Sequence, residues 1–550
     1  MTDWEAKAAA KRAQRDALLP KDTLLPSAPT DLDVSSVPAT SGILSARELE
    51  ITGTPSITAL LDALKARTYS AEEVVSAFCR RAAIAHQLTN CLTEIFFDRA
   101  LAHARDLDAE YARTGRPRGP LHGLPVSLKE QIAVRGVERS FGFVGWLGRV
   151  PESDAAITTL LVEAGAVPYC ITNVAQHLGF GAAVNNVFGE TCNPHNRNLT
   201  PGGSSGGEGA LIALRGSVLG VGSDIGGSVR IPAGFSGLYS LRPSYQRFPY
   251  EGTCNSQEGQ ESLRSVLGPM AATVDGLRLA FKAVIDGRPW RLDPVVLRMP
   301  WSEERYRLAE HGGGERLVFG MMSDDGFVRA APPYARALAD VKAALETAGH
   351  TVVPWKAYDA ERGYALFGEV WMADGHKDLY DTLALSGEPR VGPLGSGPET
   401  LLEDEVTITK YWEIQYRKQR FLKEQLDHWN RTAEHTGTGR PVDAIICPVS
   451  ATPPQTLRGR QYYGYTAWCN LADLPSAVIP VTRVNPAKDL KVTRDDYYNW
   501  LDKELWEMYD PEVYKNGPIG VQIIGQKDED EAVIRMAEIV DAALKASKSC

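Results

Sequence analysis

Ten of the 26 residues from Gly202 to Gly227 are glycine, against 50 in the 550 of the whole chain. With its continuation the stretch reads GGSSGGEGALIALRGSVLGVGSDIGGSVRIPAG. Glycine at this density makes either a flexible linker or a place where backbone comes very close to something else. A linker stays polar throughout, whereas Leu211, Ile212, Leu214, Val218, Leu219, Val221 and Ile225 require burial. The segment is therefore expected to fold, and to fold around a close approach.

Three kinds of site use such backbone. A phosphate loop needs G-x-x-x-x-G-K-[ST], and neither Gly-Gly-Ser nor Gly-Gly-Glu supplies the lysine. The dinucleotide spacing G-x-G-x-x-G fails where Ile212 stands. Gly202-x-Ser204-x-Gly206 matches the G-x-S-x-G nucleophile elbow literally. However, Asn198-Leu199-Thr200-Pro201 makes a poor strand before it, and none of the five histidines downstream has a distinctive loop context. An α/β-hydrolase is left open on these residues. The third site is an anion nest. Asp224-Ile225-Gly226-Gly227-Ser228 can curl so that successive N–H groups point at one spot, as an acyl-transfer enzyme needs for a tetrahedral oxyanion. Ser228 at its end then reads as a nucleophile, and a serine needs a base. Upstream, His122-Gly123-Leu124-Pro125-Val126-Ser127-Leu128-Lys129-Glu130 puts Lys129 at the end of an apolar strand. In isolation Lys129 reads as a surface residue paired with Glu130; beside the glycine-serine segment it becomes the candidate base.

Composition sets the frame for this chemistry. The net charge of −10 and the lack of a Lys/Arg block argue against a nucleic-acid partner. No apolar run reaches about 18 residues, so no membrane span is expected; Ala210–Gly222 comes nearest and is broken by Arg215 and by glycines. The N-terminal sequence has no apolar signal region, and the eight cysteines form no C-x-x-C pair. These features predict a cytoplasmic protein with reduced thiols and no metal site.

Helical and strand patterns alternate along the chain. Ser70-Ala71-Glu72-Glu73 reads as a capping box ahead of Val74, Phe78 and Ala82. Ser153 is expected to cap a helix carrying Ile157, Leu160 and Leu161. Ile414, Leu422, Leu426 and Trp429 form the expected apolar stripe of a long helix. Short apolar runs at Leu124–Leu128, Val167–Ile171, Leu317–Met321, Ala444–Val449, Ala477–Val481 and Gly520–Ile524 predict buried strands. The fold class is α/β: one large unit with a mixed central β-sheet covered by helices on both faces. Residues 1–40 are expected as a helical and extended arm. Residues 41–550 are expected as the main domain, mostly helical at about 290–440.

Three segments together resemble the amidase signature family, in its fungal acetamidase-type branch. They are G-L-P-V-S-L-K at 123–129, G-G-S-S-G-G-E-G-A at 202–210 and S-D-I-G-G-S-V-R-I-P-A at 223–233. Their intervals match too: Ser204 follows Lys129 by 75 residues, and Ser228 follows Ser204 by 24. The resemblance implies that Lys129 is the catalytic lysine, Ser204 the bridging serine with a cis peptide, and Ser228 the acylated serine. Ile225, Gly226, Gly227 and Ser228 would supply oxyanion amides, and Leu178 would face the acyl side of the pocket. The same resemblance implies a core at about 119–245, around the three motifs, and a substrate-shaping role for about 290–440. Ala175 stands where relatives often have proline, and His177-Leu178-Gly179-Phe180 matches no known substrate preference. Tyr462, Tyr463, Tyr465 and Trp468 are further wall candidates.

The implied activity is hydrolysis of a small or medium carboxylic amide through an acyl-enzyme, with no cofactor. A small-molecule amide is the expected partner, and a homodimer is compatible with the chain. Two alternatives remain open: an amidotransferase-type subunit acting with partners, and an amidase specialised for an aryl or indole amide.

Overall fold

A computed structural model of the chain describes residues 2–27, 29–392, 404–456 and 459–549. Among them, thirteen strands follow in chain order: β1 Leu92–Ile95, β2 Pro125–Lys129, β3 Val167–Thr172, β4 Val184–Asn185, β5 Gly189–Glu190, β6 Leu219–Asp224, β7 Tyr239–Arg242, β8 Val266–Ala271, β9 Val318–Met321, β10 Thr351–Pro354, β11 Ala444–Pro448, β12 Ser476–Arg483 and β13 Pro518–Ile524. Eleven of them make one sheet in the order β1-β3-β2-β6-β8-β7-β12-β13-β11-β9-β10, while β4 and β5 pair with each other. The sheet is mixed. β2 runs parallel to both β3 and β6, and β9 runs parallel to both β10 and β11. The other neighbours are antiparallel. Helices flank the sheet, so the architecture is the single α/β unit that the alternating pattern predicts.

Each of the six apolar runs becomes a strand, within two residues at either end. β6 does not show in the sequence because glycine interrupts its apolar run. Those glycines are required by packing. A Cβ on Gly222 would lie 2.7 Å from Ser205 Oγ, and one on Gly220 would collide with the Glu208 carboxylate. The strand gives up its own side chains so that the helix Gly206–Ala213 can lie directly against it.

The Ser70 capping box forms in full. Ser70 Oγ accepts the Glu73 N–H at 3.0 Å, the Glu73 carboxylate accepts the Ser70 N–H at 2.9 Å, and the helix Ala71–Thr89 follows. Two helical expectations are corrected. Ser153 does not cap its helix, which runs Ala156–Glu163 with Ala155 at the N-cap. The preceding residues are tied sideways instead: the Ala155 N–H bonds Ala133 O and Asp154 accepts the Arg135 N–H. In the helix Ile408–Asn430, Ile414 and Trp429 are buried but Leu426 is 45% exposed, and Phe421 takes the core position.

At the N-terminus the helix Asp3–Asp16 is pinned by charge. Lys11 reaches Glu94 at 2.5 Å and Glu138 at 3.0 Å, and Arg15 donates to Leu92 O at 2.9 Å. Among the described residues no helix is long and apolar enough to cross a membrane.

Candidate active site

Lys129 ends β2 in the interior of the sheet, between β3 and β6. Pleating sends Ser127 and Lys129 to the same side, toward the helix that follows Ser204. There the Ser127 hydroxyl donates to Glu208 at 2.5 Å and Lys129 Nζ bonds Ser204 Oγ at 2.7 Å. Ser223 on β6 supplies two more acceptors for Nζ, its Oγ at 2.8 Å and its carbonyl at 3.5 Å. Lys129 is fully buried, and Ser204 is 1% exposed. An ammonium in such a place loses its hydration without a contacting anion to replace it. Burial accordingly pushes Lys129 down to about 7, against an opposing pull from the Asp224 and Glu208 carboxylates. Burial also pushes Glu208 up to about 7, although the Ser127 and Thr172 hydroxyls bond it. The Gly203–Ser204 peptide is cis.

Ser228 stands on the turn between β6 and the helix Arg230–Ser236. Asp224, the last residue of β6, builds that turn. Its Oδ1 accepts the Gly227 N–H at 2.8 Å and its Oδ2 accepts the Val229 N–H at 3.2 Å. Arg230 grips the same carboxylate with Nε and a terminal nitrogen, both at 3.0 Å, and Asn470 adds a bond at 2.9 Å. Burial alone would raise the Asp224 pKa, but Arg230 and Asn470 outweigh it and hold the group well below the usual carboxylate range. Gly227 has φ 127°, where a side chain would be strained, and a Cβ there would also lie 2.8 Å from Ile231 Cδ1. Its amide is committed to Asp224, whereas the Ile225, Gly226 and Ser228 amides have no hydrogen-bond partner among the described residues. The Ser205 N–H donates to Ser228 O at 3.2 Å, which ties the two serine segments together.

Ser204 lies inside the protein, whereas Ser228 is half-buried and opens on a cavity of about 60 Å³. Leu178, Phe180, Ile225, Tyr364, Phe367, Trp371, Met372 and Tyr463 give this cavity its apolar wall. Tyr364 also lines a second cavity, of about 340 Å³, which reaches Trp355, Phe421, Leu426 and Trp468. Of the four aromatic wall candidates, Tyr463 is at the Ser228 cavity and Trp468 at the second one. Tyr462 and Tyr465 are core residues, their hydroxyls bonded to Asp325 and to Val328 O.

Sequence reasoning brings Lys129, Ser204, Ser228, the turn amides and Leu178 to one region, and misses what supports them. Glu208 had a signal, a lone carboxylate in the apolar helix GGEGALIA. Asp224 and Arg230 had another, opposite charges six residues apart around a Gly-Gly turn. Ser223 had only its place at the head of the 223–233 motif, and Tyr364, Phe367 and Trp371 had no signal, because their roles arise only from tertiary approach.

Known proteins are similar to this one over nearly the whole chain. A family model described as Amidase matches residues 73–534. The acetamidase of Aspergillus oryzae is 41% identical over 542 residues, covering 98% of this chain and 99% of that one. The acetamidase of Emericella nidulans is 42% identical over 550 residues, covering 98% of each. A solved fatty acid amide hydrolase superposes with a TM-score of 0.90 at 30% identity, over 98% of this chain and 95% of that one. On the sequence match and the shared fold, the chain belongs to the amidase, or amidase signature, family and is an amide hydrolase.

Proposed function

We propose that this enzyme hydrolyses small, uncharged carboxylic amides to a carboxylate and ammonia or an amine, through an ester on Ser228. The observation that carries the reading is the buried 2.7 Å contact between Lys129 Nζ and Ser204 Oγ, in a segment that the Ser205 N–H ties to the carbonyl of Ser228, the serine that opens on the cavity. Neutral Lys129 takes the Ser204 proton as Ser204 takes that of Ser228. Ser228 Oγ bonds the carbonyl carbon, and the carbonyl electron pair moves onto oxygen. The free Ile225, Gly226 and Ser228 amides stabilise that charge. Collapse re-forms the carbonyl and breaks the C–N bond, with the proton returning through Ser204 to the leaving nitrogen. Water then repeats the sequence on the ester.

The small apolar cavity supports a short acyl group, as do the two acetamidases that align end to end with this chain. That alignment also supports a free-standing enzyme rather than an amidotransferase-type subunit. Its setting is cytoplasmic, a reading supported by the unpaired cysteines among the described residues. The aromatic wall formed by Phe180, Phe367, Trp371 and Tyr463 favours one alternative, a flat aryl or indole acyl group.

Ammonia or amine release from acetamide, propionamide, hexanamide, benzamide, indoleacetamide and an anilide tests the assignment. The expected order of kcat/KM puts acetamide or propionamide first. Benzamide or indoleacetamide in front would establish the aryl reading. No release from any free amide would overturn the proposal.

A further inference from the structure

Lys129 has more than one buried neighbour, and their hydrogen-bond polarity is fixed from outside the triad. Gln131 Nε2 donates to the Cys254 carbonyl and to the Tyr250 hydroxyl, both at 2.8 Å. A carbonyl can only accept, so the amide is held with its nitrogen on that side and Gln131 Oε1 on the other. Oε1 bonds Ser223 Oγ and can only accept, so the Ser223 hydroxyl hydrogen points to Gln131. Ser223 then has only lone pairs to offer Lys129, from Oγ at 2.8 Å and from its carbonyl at 3.5 Å. A neutral amine carries two hydrogens and one lone pair. With both hydrogens drawn toward Ser223, the lone pair is left for Ser204.

We propose that Gln131 is a positioning residue: acting through Ser223, it fixes which side of the Lys129 amine carries hydrogens and so aims the lone pair at the Ser204 hydroxyl. The proposal rests on the reading of Lys129 as the base. The other ionisable groups around Lys129 do not do this. Glu208 is bonded to Ser127 and Thr172, Asp224 is paired with Arg230, and Glu130 is turned to the amides of Ser140 and Phe141. The Cys254 thiol donates to Gln131 O at 3.4 Å. None of these accepts from Lys129.

The test compares Gln131→Met, Gln131→Glu and Ser223→Ala with the parent enzyme, using acetamide turnover, the rate of fluorophosphonate labelling and thermal melts. Gln131→Met removes the acceptor and frees the Ser223 hydroxyl to cap the amine lone pair. Since a positioned base contributes about 10²–10⁴-fold, kcat should fall by about tenfold or more with KM unchanged. Gln131→Glu keeps an acceptor oxygen toward Ser223 but adds a carboxylate that favours the Lys129 ammonium, so its kcat, compared with that of Gln131→Met at a pH above the shifted rising limb, should be mostly recovered. Ser223→Ala, which leaves Gln131 in place, should lose kcat as Gln131→Met does, and it carries the test if that variant does not fold. Equal losses in Gln131→Met and Gln131→Glu, parental kcat in Ser223→Ala, or a change confined to KM would each overturn the proposal. If the parent enzyme itself takes no label at Ser228, the acyl-enzyme reading fails first and the proposal fails with it.

Discussion

Asp224 and Arg230 form a fully buried ion pair, and the same Asp224 carboxylate holds the Gly227 and Val229 amides on either side of Ser228. The position of Ser228, the proposed nucleophile, therefore depends on a charge pair buried beneath the turn. Asp224→Ala would leave Arg230 buried without its partner, a change that costs about 3–5 kcal/mol in comparable pairs. Urea denaturation should show that loss, and Ser228 labelling should fall even where the variant is still folded. Parental stability with parental labelling would contradict this account of the turn.

The depressed pKa of Lys129 has consequences for both rate and stability. kcat/KM should rise with pH around about 7 as Lys129 loses its proton, and Lys129→Met should lose the activity. Between about 7 and the ordinary lysine value of 10.5, the unfolded chain holds a proton that the folded chain lacks. Folded stability therefore rises with pH across that window, and below it the full cost of burying the lysine is present. Lys129→Met should be more stable than the parent at pH 6, with the gap closing toward pH 10.5, as read by denaturant midpoints. A rising limb that persists in Lys129→Met would assign the base elsewhere.

Glu208 pulls the other way on the same lysine, since its carboxylate favours the ammonium form. Glu208→Gln keeps a partner for Ser127 and Thr172 and removes the charge. Its rising limb should move to lower pH, and a move to higher pH would contradict the assigned polarity of the cluster. The Glu208 pKa is itself raised to about 7, so stability falls as pH rises from 4.5 to about 7, and Glu208→Gln should flatten that slope.

Leu178 and Tyr364 both line the Ser228 cavity, and Tyr364 also lines the larger one. Leu178→Trp should raise KM for larger acyl groups more than for acetamide. Contact worth one methylene is about 1–3 kcal/mol, so a differential of about tenfold or more is expected. Tyr364→Ala should join the two cavities and raise kcat/KM for hexanamide relative to acetamide. Uniform losses across the amide series would mark both residues as structural.

The legible parts of this protein are those coded locally. Strands such as Val167–Thr172 and the Ser70 capping box announce themselves through periodicity and cap chemistry, and Lys129, Ser204 and Ser228 each sit in a dense motif. β6 escaped because Gly220 and Gly222 erase the apolar pattern to admit Ser205 and Glu208. Ser153 looked like a cap, but its neighbours Asp154 and Ala155 are bonded to the segment 133–135. The wall from Tyr364 to Met372 could not be read because nothing local in the helix Ala360–Trp371 says which of its faces meets Ser228.

The central claim is that Ser228, and not the buried Ser204, forms the acyl-enzyme. Intact-mass and peptide-mapping analysis of the protein after reaction with a fluorophosphonate tests it most directly. The account predicts one adduct, mapped to Ser228, that is absent from Ser228→Ala. An adduct on Ser204 or on a cysteine, or a full adduct in Ser228→Ala, would contradict it.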